Sequence, residues 1–243
     1  MLRRHFFDAF GVATSLALVT HLDPEIIESD PAPSSAPSDR LTPPPRGPIS
    51  VAVLVSEGAT VIDFAGPWEV FQDTVVPSRG QSHDGQMPFQ LYTVADSTDP
   101  VRVTGGMRIV PDYTVDNAPA PRVIVVPAMR ASERVLNWLR KTSPTTDVTM
   151  SVCTGAFVLG RAGLLKGRRA TTHHQFVDDL AKAFPDVTVE RDRRFVEGGG
   201  NVATSGGLTS GIHLALRVVE RYFGREVGDA TARYMEFERS VRP

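Results

Sequence analysis

The sequence predicts an α/β fold in which a mainly parallel sheet is covered by helices on both faces. Residues 49–55 (ISVAVLV) and 123–126 (VIVV) are short apolar runs rich in β-branched residues, as in strands buried on both faces. Segments with apolar residues at helical spacing follow them, and strands that alternate with helices form parallel sheets. The 243 residues suffice for one large domain or two small ones, with a sizeable core.

The first predicted helix spans residues 64–71. Asp63 is its predicted N-cap, because an aspartate can accept a hydrogen bond from a free N–H of the first turn, and Pro67 is tolerated only in that turn. Residues 101–103 and 107–110 are predicted to form a hairpin or a bulged extension across two glycines. The other elements of this half are a strand at 89–94 and a helix at 132–140.

The second half continues the alternation. Its predicted strands are 148–152, 170–172, 187–189, 194–196 and 201–204. Its predicted helices are 155–165, a segment that contains Phe176, Leu180 and Phe184, and a last helix that begins near Ser210.

Residues 1–48 differ in composition from the rest. Residues 24–48 hold 8 of the 19 prolines, which predicts an extended linker. Arg3 and Arg4 precede a mildly apolar stretch at 9–19, a pattern that resembles a twin-arginine export signal. The alternatives are a frayed N-terminal arm or a start codon placed too early, so the location is predicted as periplasmic or cytoplasmic. The predicted domain is 49–238, followed by a short tail at 239–243.

Charge and cysteine content exclude several classes of function. A net charge of −2 argues against a surface that binds nucleic acid. No apolar run reaches the roughly 18 residues of a membrane-spanning helix. A single cysteine excludes an intramolecular disulfide and a cysteine-cluster zinc site, and the six histidines show no metal-binding spacing. We therefore expect no metal and no cofactor.

Cys153 is the candidate nucleophile. It follows a predicted buried strand and precedes Thr154, Gly155 and a predicted helix, so it occupies a turn at the carboxyl edge of the sheet. The free N–H groups of the helix N-terminus favour a thiolate, which predicts a cysteine pKa below its usual value of about 8.5, and they could hold an oxyanion. The alternative is a small buried cysteine that fills a strand end.

Three ordered motifs resemble those of the DJ-1/PfpI family, in the class I glutamine amidotransferase-like superfamily. They are residues 61–71 (VIDFAGPWEVF), 151–160 (SVCTGAFVLG) and 206–212 (GGLTSGI). The similarity is greatest to the branch that contains isonitrile hydratase and the amidotransferase-like domains of AraC-type regulators, and it covers about residues 49–238. It implies a flavodoxin-like, doubly wound sandwich and a homodimer.

The resemblance also implies roles for individual residues. Cys153 takes the place of the nucleophile, Asp63 that of the carboxylic acid beside it, and Thr154 that of the functional residue after the nucleophile. Beside a thiolate the pKa of Asp63 should rise, which makes it a proton donor or base near neutral pH. The helix cap described above is the alternative role for Asp63.

Substrate binding is assigned to three further positions. Backbone N–H groups near Ala128 and Gly155 are expected to stabilise developing negative charge. His173 matches a histidine of the family's T-T-H segment and is expected to line the site; the alternative is an edge histidine bonded to backbone or water.

The chain departs from the family pattern in three respects. Pro127 is followed by Ala128, Met129 and Arg130 instead of two glycines, and His213 replaces an aspartate. Met129 and Arg130 are expected to narrow the pocket or to bring positive charge to it. No helix-turn-helix module is expected after residue 238.

The sequence thus predicts a cofactor-independent cysteine enzyme that acts on a small electrophile, similar to isonitrile hydratase, which converts an isonitrile and water to an N-substituted formamide. The expected partners are a small-molecule substrate and a second copy of the chain, without nucleic acid or membrane. The alternative is a non-enzymatic small-molecule or redox sensor of the same family.

Overall fold

The computed structural model describes residues 40–45 and 47–238, and their core is a seven-stranded sheet. The strands in chain order are β1 Ile49–Leu54, β2 Phe89–Ala95, β3 Val101–Arg102, β4 Arg108–Ile109, β5 Tyr113–Thr114, β6 Val123–Val126, β7 Val148–Ser151, β8 Arg169–Ala170, β9 Thr188–Val189, β10 Phe195–Glu197 and β11 Val202–Ser205. The helices are α1 Val61–Gln72, α2 His83–Gln86, α3 Glu133–Thr142, α4 Gly155–Arg161, α5 Val177–Ala183, α6 Ser210–Phe223 and α7 Arg225–Tyr234.

The sheet is mainly parallel, with the strand order β10-β11-β7-β6-β1-β2-β5. β1 lies in its interior and pairs in parallel with β2 and β6, whereas β10 is antiparallel to β11. The side chains of β6 and β7 are buried along their whole length, which explains the continuous apolar run of β6. The predicted α/β architecture is confirmed.

Two apolar layers cover the sheet. One layer contains Phe71 of α1 and Leu214 of α6, and the other contains Leu136 of α3 and Leu159 of α4. Both layers are built on alternate side chains of the same strands, because successive residues of a strand point to opposite faces. The carboxyl ends of the parallel strands are therefore left open between the helix layers.

The helix α1 begins three residues earlier than predicted, so the assignment of Asp63 as its N-cap is wrong. Thr60 is the N-cap, and Asp63 lies within the first turn. The N–H of Val61 donates to Oγ1 of Thr104 at 3.1 Å, so a residue of the hairpin connection caps the helix. Pro67 lies inside the helix instead of in its first turn. It has no N–H to donate to the carbonyl of Asp63.

Other elements differ in extent. The predicted helix at 155–165 ends at Arg161, and the strand predicted at 170–172 is Arg169–Ala170. Gly224, at φ 90°, ends α6 and allows α7 to begin at once, which the sequence pattern did not predict. The antiparallel hairpin of β3 and β4 is confirmed.

Part of the predicted linker contacts the domain. The N–H of Leu41 donates to the carbonyl of Arg221 at 2.8 Å, and Arg122 Nη2 donates to the carbonyl of Thr42 at 3.0 Å. The predicted export signal, most of the linker and the tail at 239–243 lie outside the described residues. None of the helices that the structure describes combines the length and the apolar character needed to cross a bilayer.

Candidate active site

Cys153 occupies a strained turn between β7 and α4. Its φ is 57°, in the left-handed region that a residue with a Cβ seldom adopts. Two hydrogen bonds hold this conformation: the N–H of Cys153 donates to the carbonyl of Gly206 at 2.9 Å, and Oγ1 of Thr172 donates to the carbonyl of Cys153 at 2.9 Å. The turn places the side chain at the carboxyl edge of the sheet, where it is 7 % exposed.

Gly155 lets α4 pack directly on the end of β6. A Cβ at this position would lie 2.2 Å from the carbonyl oxygen of Val126 and 2.8 Å from that of Pro127. The N–H of Gly155 donates to the carbonyl of Val152 at 2.9 Å. The expected role of this N–H as an oxyanion donor is therefore contradicted, because the turn itself uses it.

Replacement of Gly155 by alanine is expected to destabilise the protein by about 3 kcal/mol, because the new methyl group meets backbone atoms that cannot yield without moving α4. Urea denaturation measures the change in the free energy of unfolding. Gly85→Ala is the matched control, since its Cβ would meet no atom closer than the Oγ of Ser82 at 3.2 Å. Equal stabilities of the two variants would contradict the tight packing of α4.

Asp63 projects from the first turn of α1 into the protein and is fully buried. Its Oδ2 accepts a hydrogen bond from the N–H of Ala128 at 3.1 Å. Its Oδ1 meets no donor in good hydrogen-bonding geometry among the described residues, yet the Cys153 thiol is close enough for the two groups to perturb each other's pKa. The Ala128 N–H, expected to face the substrate, instead holds this carboxyl.

Burial sets the ionisation of the pair. It raises the pKa of Asp63 to about 6, an effect that the hydrogen bond from the Ala128 N–H and the proximity of the Cys153 thiol and the Leu208 backbone reduce. Burial also raises the pKa of Cys153 to about 11, assisted by the charge of Asp63 and opposed by the backbone of Thr154 and Leu208. The expectation of a lowered cysteine pKa is wrong, because desolvation and the carboxylate outweigh the N–H groups at the start of α4. At neutral pH the pair is a thiol beside a carboxylate.

Leu208 is a site residue for which the sequence assigned no role. Its φ is 56°, its side chain is 44 % exposed, and its backbone contacts both Cys153 and Asp63. Two glycines precede it in the third family motif, and this signal marks a turn that approaches other backbone closely.

His173 packs against that turn. A Cβ on Gly207 would lie 2.1 Å from Cδ2 of His173. Nδ1 of His173 accepts from the N–H of Gln175 at 3.3 Å, and its ring stacks on His174 with centroids 4.3 Å apart. Burial and His174 lower the pKa of His173. These contacts match the alternative of an edge histidine bonded to backbone. The ring of His173 packs against Gly207, the residue that precedes Leu208.

A cavity of about 530 Å³ opens beside the Cys153–Asp63 pair. Its lining consists of Glu57, Gly58, Thr60, Ala128, Met129, Arg130 and Thr154. Neither Cys153 nor Asp63 is among these lining residues. The cavity is linked to them through their neighbours, because Thr154 follows Cys153 and the N–H of Ala128 binds Asp63. Met129 and Arg130 lie in the lining, as the sequence predicted. His213 is not among the lining residues; its ring contacts that of Phe237, with centroids 4.9 Å apart. The described part of the chain contains no cluster of three metal-ligating side chains.

The model of the DJ-1/PfpI family matches residues 49–221. The chain belongs to the DJ-1/PfpI family. The DJ-1/PfpI region includes β1, Asp63, Cys153 and most of α6. This family membership agrees with the flavodoxin-like sheet and with the resemblance seen in the three motifs.

Individual relatives of this DJ-1/PfpI protein have different described activities. Isonitrile hydratase of Pseudomonas putida is 29 % identical over 195 residues, which are 78 % of each chain. The HTH-type transcriptional regulator GbdR of Pseudomonas aeruginosa is 28 % identical over 82 % of this chain, which matches only 53 % of the regulator. A solved THiJ/PfpI family protein from Pseudomonas syringae superposes with a TM-score of 0.68 at 27 % identity, over 89 % of this chain and 85 % of that one.

Proposed function

We propose that this protein is a cofactor-independent cysteine enzyme that adds water to an isonitrile to give an N-substituted formamide. The observation that carries the proposal is the pairing of the Cys153 thiol with a buried carboxyl whose pKa is about 6. Such a carboxyl can both take and return a proton at neutral pH. The similarity to isonitrile hydratase of Pseudomonas putida supports the choice of substrate.

In the first half of the reaction, the carboxylate of Asp63 removes the thiol proton as the sulfur of Cys153 bonds to the isonitrile carbon. Asp63 then delivers that proton to the same carbon, and a thioimidate, R–N=CH–S–Cys153, results. Because the sulfur is protonated at rest, the carboxylate supplies the activation that the helix N-terminus was expected to supply. The backbone N–H groups of Thr154 and Leu208 contact the sulfur and stabilise its developing negative charge.

In the second half, Asp63 takes a proton from water as the oxygen bonds to the carbon, and this proton passes to the nitrogen. The carbon then bears nitrogen, hydroxyl and sulfur. Asp63 takes the hydroxyl proton, the C–S bond breaks as the C=O bond forms, and the proton returns to the sulfur. One isonitrile and one water give one formamide, and no oxidant or metal takes part.

The pH profile is expected to have its acid limb near pH 6. Asp63 must be ionised to act, and it is ionised above its pKa, so kcat/KM for an uncharged isonitrile should fall about tenfold for each pH unit below 6. The rate of formamide formation between pH 4.5 and 9 measures this. A profile flat down to pH 4.5, or one that rises only above pH 8, would contradict the role of Asp63.

A non-enzymatic sensor is the second candidate. The raised pKa of Cys153 and its low exposure favour it, because a buried neutral thiol is a weak nucleophile without help, and the similarity to GbdR supports it. Reversible binding of isonitriles and glyoxals with no turnover of either class would select the sensor. The homodimer and the small-molecule partner are part of both proposals.

A further inference from the structure

The cavity beside Cys153 is larger than the reacting group requires. Its volume of about 530 Å³ falls in the range of sites that bind whole metabolite-sized molecules. The isonitrile group contributes only two atoms at the end of a substrate. The rest of the cavity must therefore accommodate the part of the substrate that does not react.

Two charged side chains line the cavity, and they differ in their contacts. Oε1 of Glu57 accepts from the N–H of Arg102 at 2.7 Å, and the N–H of Gly58 donates to the carbonyl of Arg102 at 2.8 Å, so Glu57 holds the hairpin. Arg130 makes no hydrogen bond or ion pair with any residue in the described ranges. The guanidinium of Arg130 is thus the charge that the protein leaves available to a ligand.

The position of Arg130 along the chain relates it to the reacting groups. Arg130 lies two residues after Ala128, whose N–H binds Asp63. The Cα atoms of residues 128 and 130 are therefore at most about 7 Å apart. A substrate whose reactive carbon meets Cys153 can therefore extend along residues 128–130 toward the guanidinium. A planar guanidinium pairs with a carboxylate through two parallel hydrogen bonds.

We infer that the natural substrate carries a carboxylate at the end away from its reacting carbon, and that Arg130 is the specificity-determining residue that binds this group. The inference rests on the proposed hydration reaction for the identity of the reacting group. The binding of the carboxylate itself needs no chemistry at Cys153, so binding and turnover can be tested apart.

The kinetic test compares 3-isocyanopropanoate with its neutral isostere, 3-isocyanopropanamide. The full chain is expected to prefer the carboxylate at least about tenfold in kcat/KM at low ionic strength, mainly through KM, and salt should reduce this preference. Arg130→Gln should abolish the preference, and Arg130→Lys should restore part of it. Glu57→Gln should increase the preference, because it removes the only negative charge of the lining.

Arg108→Gln is the matched control. It removes the guanidinium of another exposed arginine, on β4 of the hairpin and outside the cavity lining, so it should leave the preference unchanged. If the full chain treats the acid and the amide alike, and Arg130→Gln changes neither, the inference is overturned while the hydratase proposal stands.

A binding experiment separates the inference from the proposed function. Calorimetry on Cys153→Ala with 3-formamidopropanoate and 3-formamidopropanamide measures recognition of the carboxylate without turnover. Preferential binding of the acid that Arg130→Gln removes supports the inference, even if the full chain hydrates no isonitrile and the proposed reaction is rejected. Equal or absent binding of the two formamides overturns the inference.

Discussion

Cys153→Ala is expected to abolish formamide formation, with a loss of about 10⁴-fold or more in kcat. The chain contains one cysteine, so no second thiol can form the thioimidate. The fold should survive, because alanine occupies the same left-handed turn and the two hydrogen bonds that hold the turn involve backbone atoms of residue 153. Quantification of formamide by NMR, with circular dichroism of the same sample, measures both effects.

Ser151→Ala is the matched control for this variant. It removes one γ atom from a buried residue two positions earlier, and the Oγ of Ser151 has no hydrogen-bond partner in the described structure. Loss of an unpartnered buried hydroxyl is neutral or stabilising, so this variant should retain activity. If Cys153→Ala retains turnover, Cys153 is not the nucleophile.

Asp63→Asn is expected to lower activity and to raise stability. Activity should fall by about 10² to 10⁴-fold, the usual contribution of a general acid–base residue. Asparagine can still accept the Ala128 hydrogen bond through its amide oxygen, so the effect reports the loss of the ionisable group. The initial rate of formamide formation at pH 7.5 measures the loss.

The stability change follows from the raised pKa. The folded protein binds the proton of Asp63 more tightly than the unfolded chain does, so protonated Asp63 favours the folded state. The stability that depends on this proton is fully present below pH 3.8 and is lost as pH rises through 6. A rise from 3.8 to about 6 corresponds to about 3 kcal/mol of destabilisation at pH 8, at 1.36 kcal/mol per pKa unit. Asp63→Asn removes the destabilisation by the ionised carboxyl. The free energy of unfolding of this variant should therefore exceed that of the unmodified protein most at pH 8, and the difference should vanish near pH 4.

The control is Asp112→Asn, which neutralises an exposed aspartate whose Oδ2 accepts from the N–H and the hydroxyl of Thr93 at 2.8 and 2.7 Å. This change should lower stability slightly and leave activity intact. Reduced stability of Asp63→Asn at pH 8 would contradict the raised pKa of Asp63.

Periodicity and turn residues predicted the sheet well, because a strand that is buried on both faces is a continuous run of apolar, β-branched residues. The runs at 49–55 and 123–126 coincide with β1 and β6 to within a residue. The chain position of Cys153 after a buried strand likewise predicted its turn. These features depend on local sequence and on a burial pattern that repeats along it.

The features that sequence could not predict depend on residues far apart in the chain. Thr104 caps α1 from 43 residues away, which is why the start of the helix was misplaced. The pKa of Cys153 follows from burial and from Asp63, neither of which is a local property. The N–H of Ala128 binds a carboxyl 65 residues distant instead of facing the substrate.

The cap from Thr104 couples the hairpin to the position of Asp63 in the candidate active site. Thr104 holds the first turn of the helix that carries Asp63, and the same hairpin anchors Glu57 at the cavity. We therefore expect substitutions at loop residues 103–107 to shift Asp63 without changing the cavity lining. Mutagenesis confined to the cavity lining would overlook these positions.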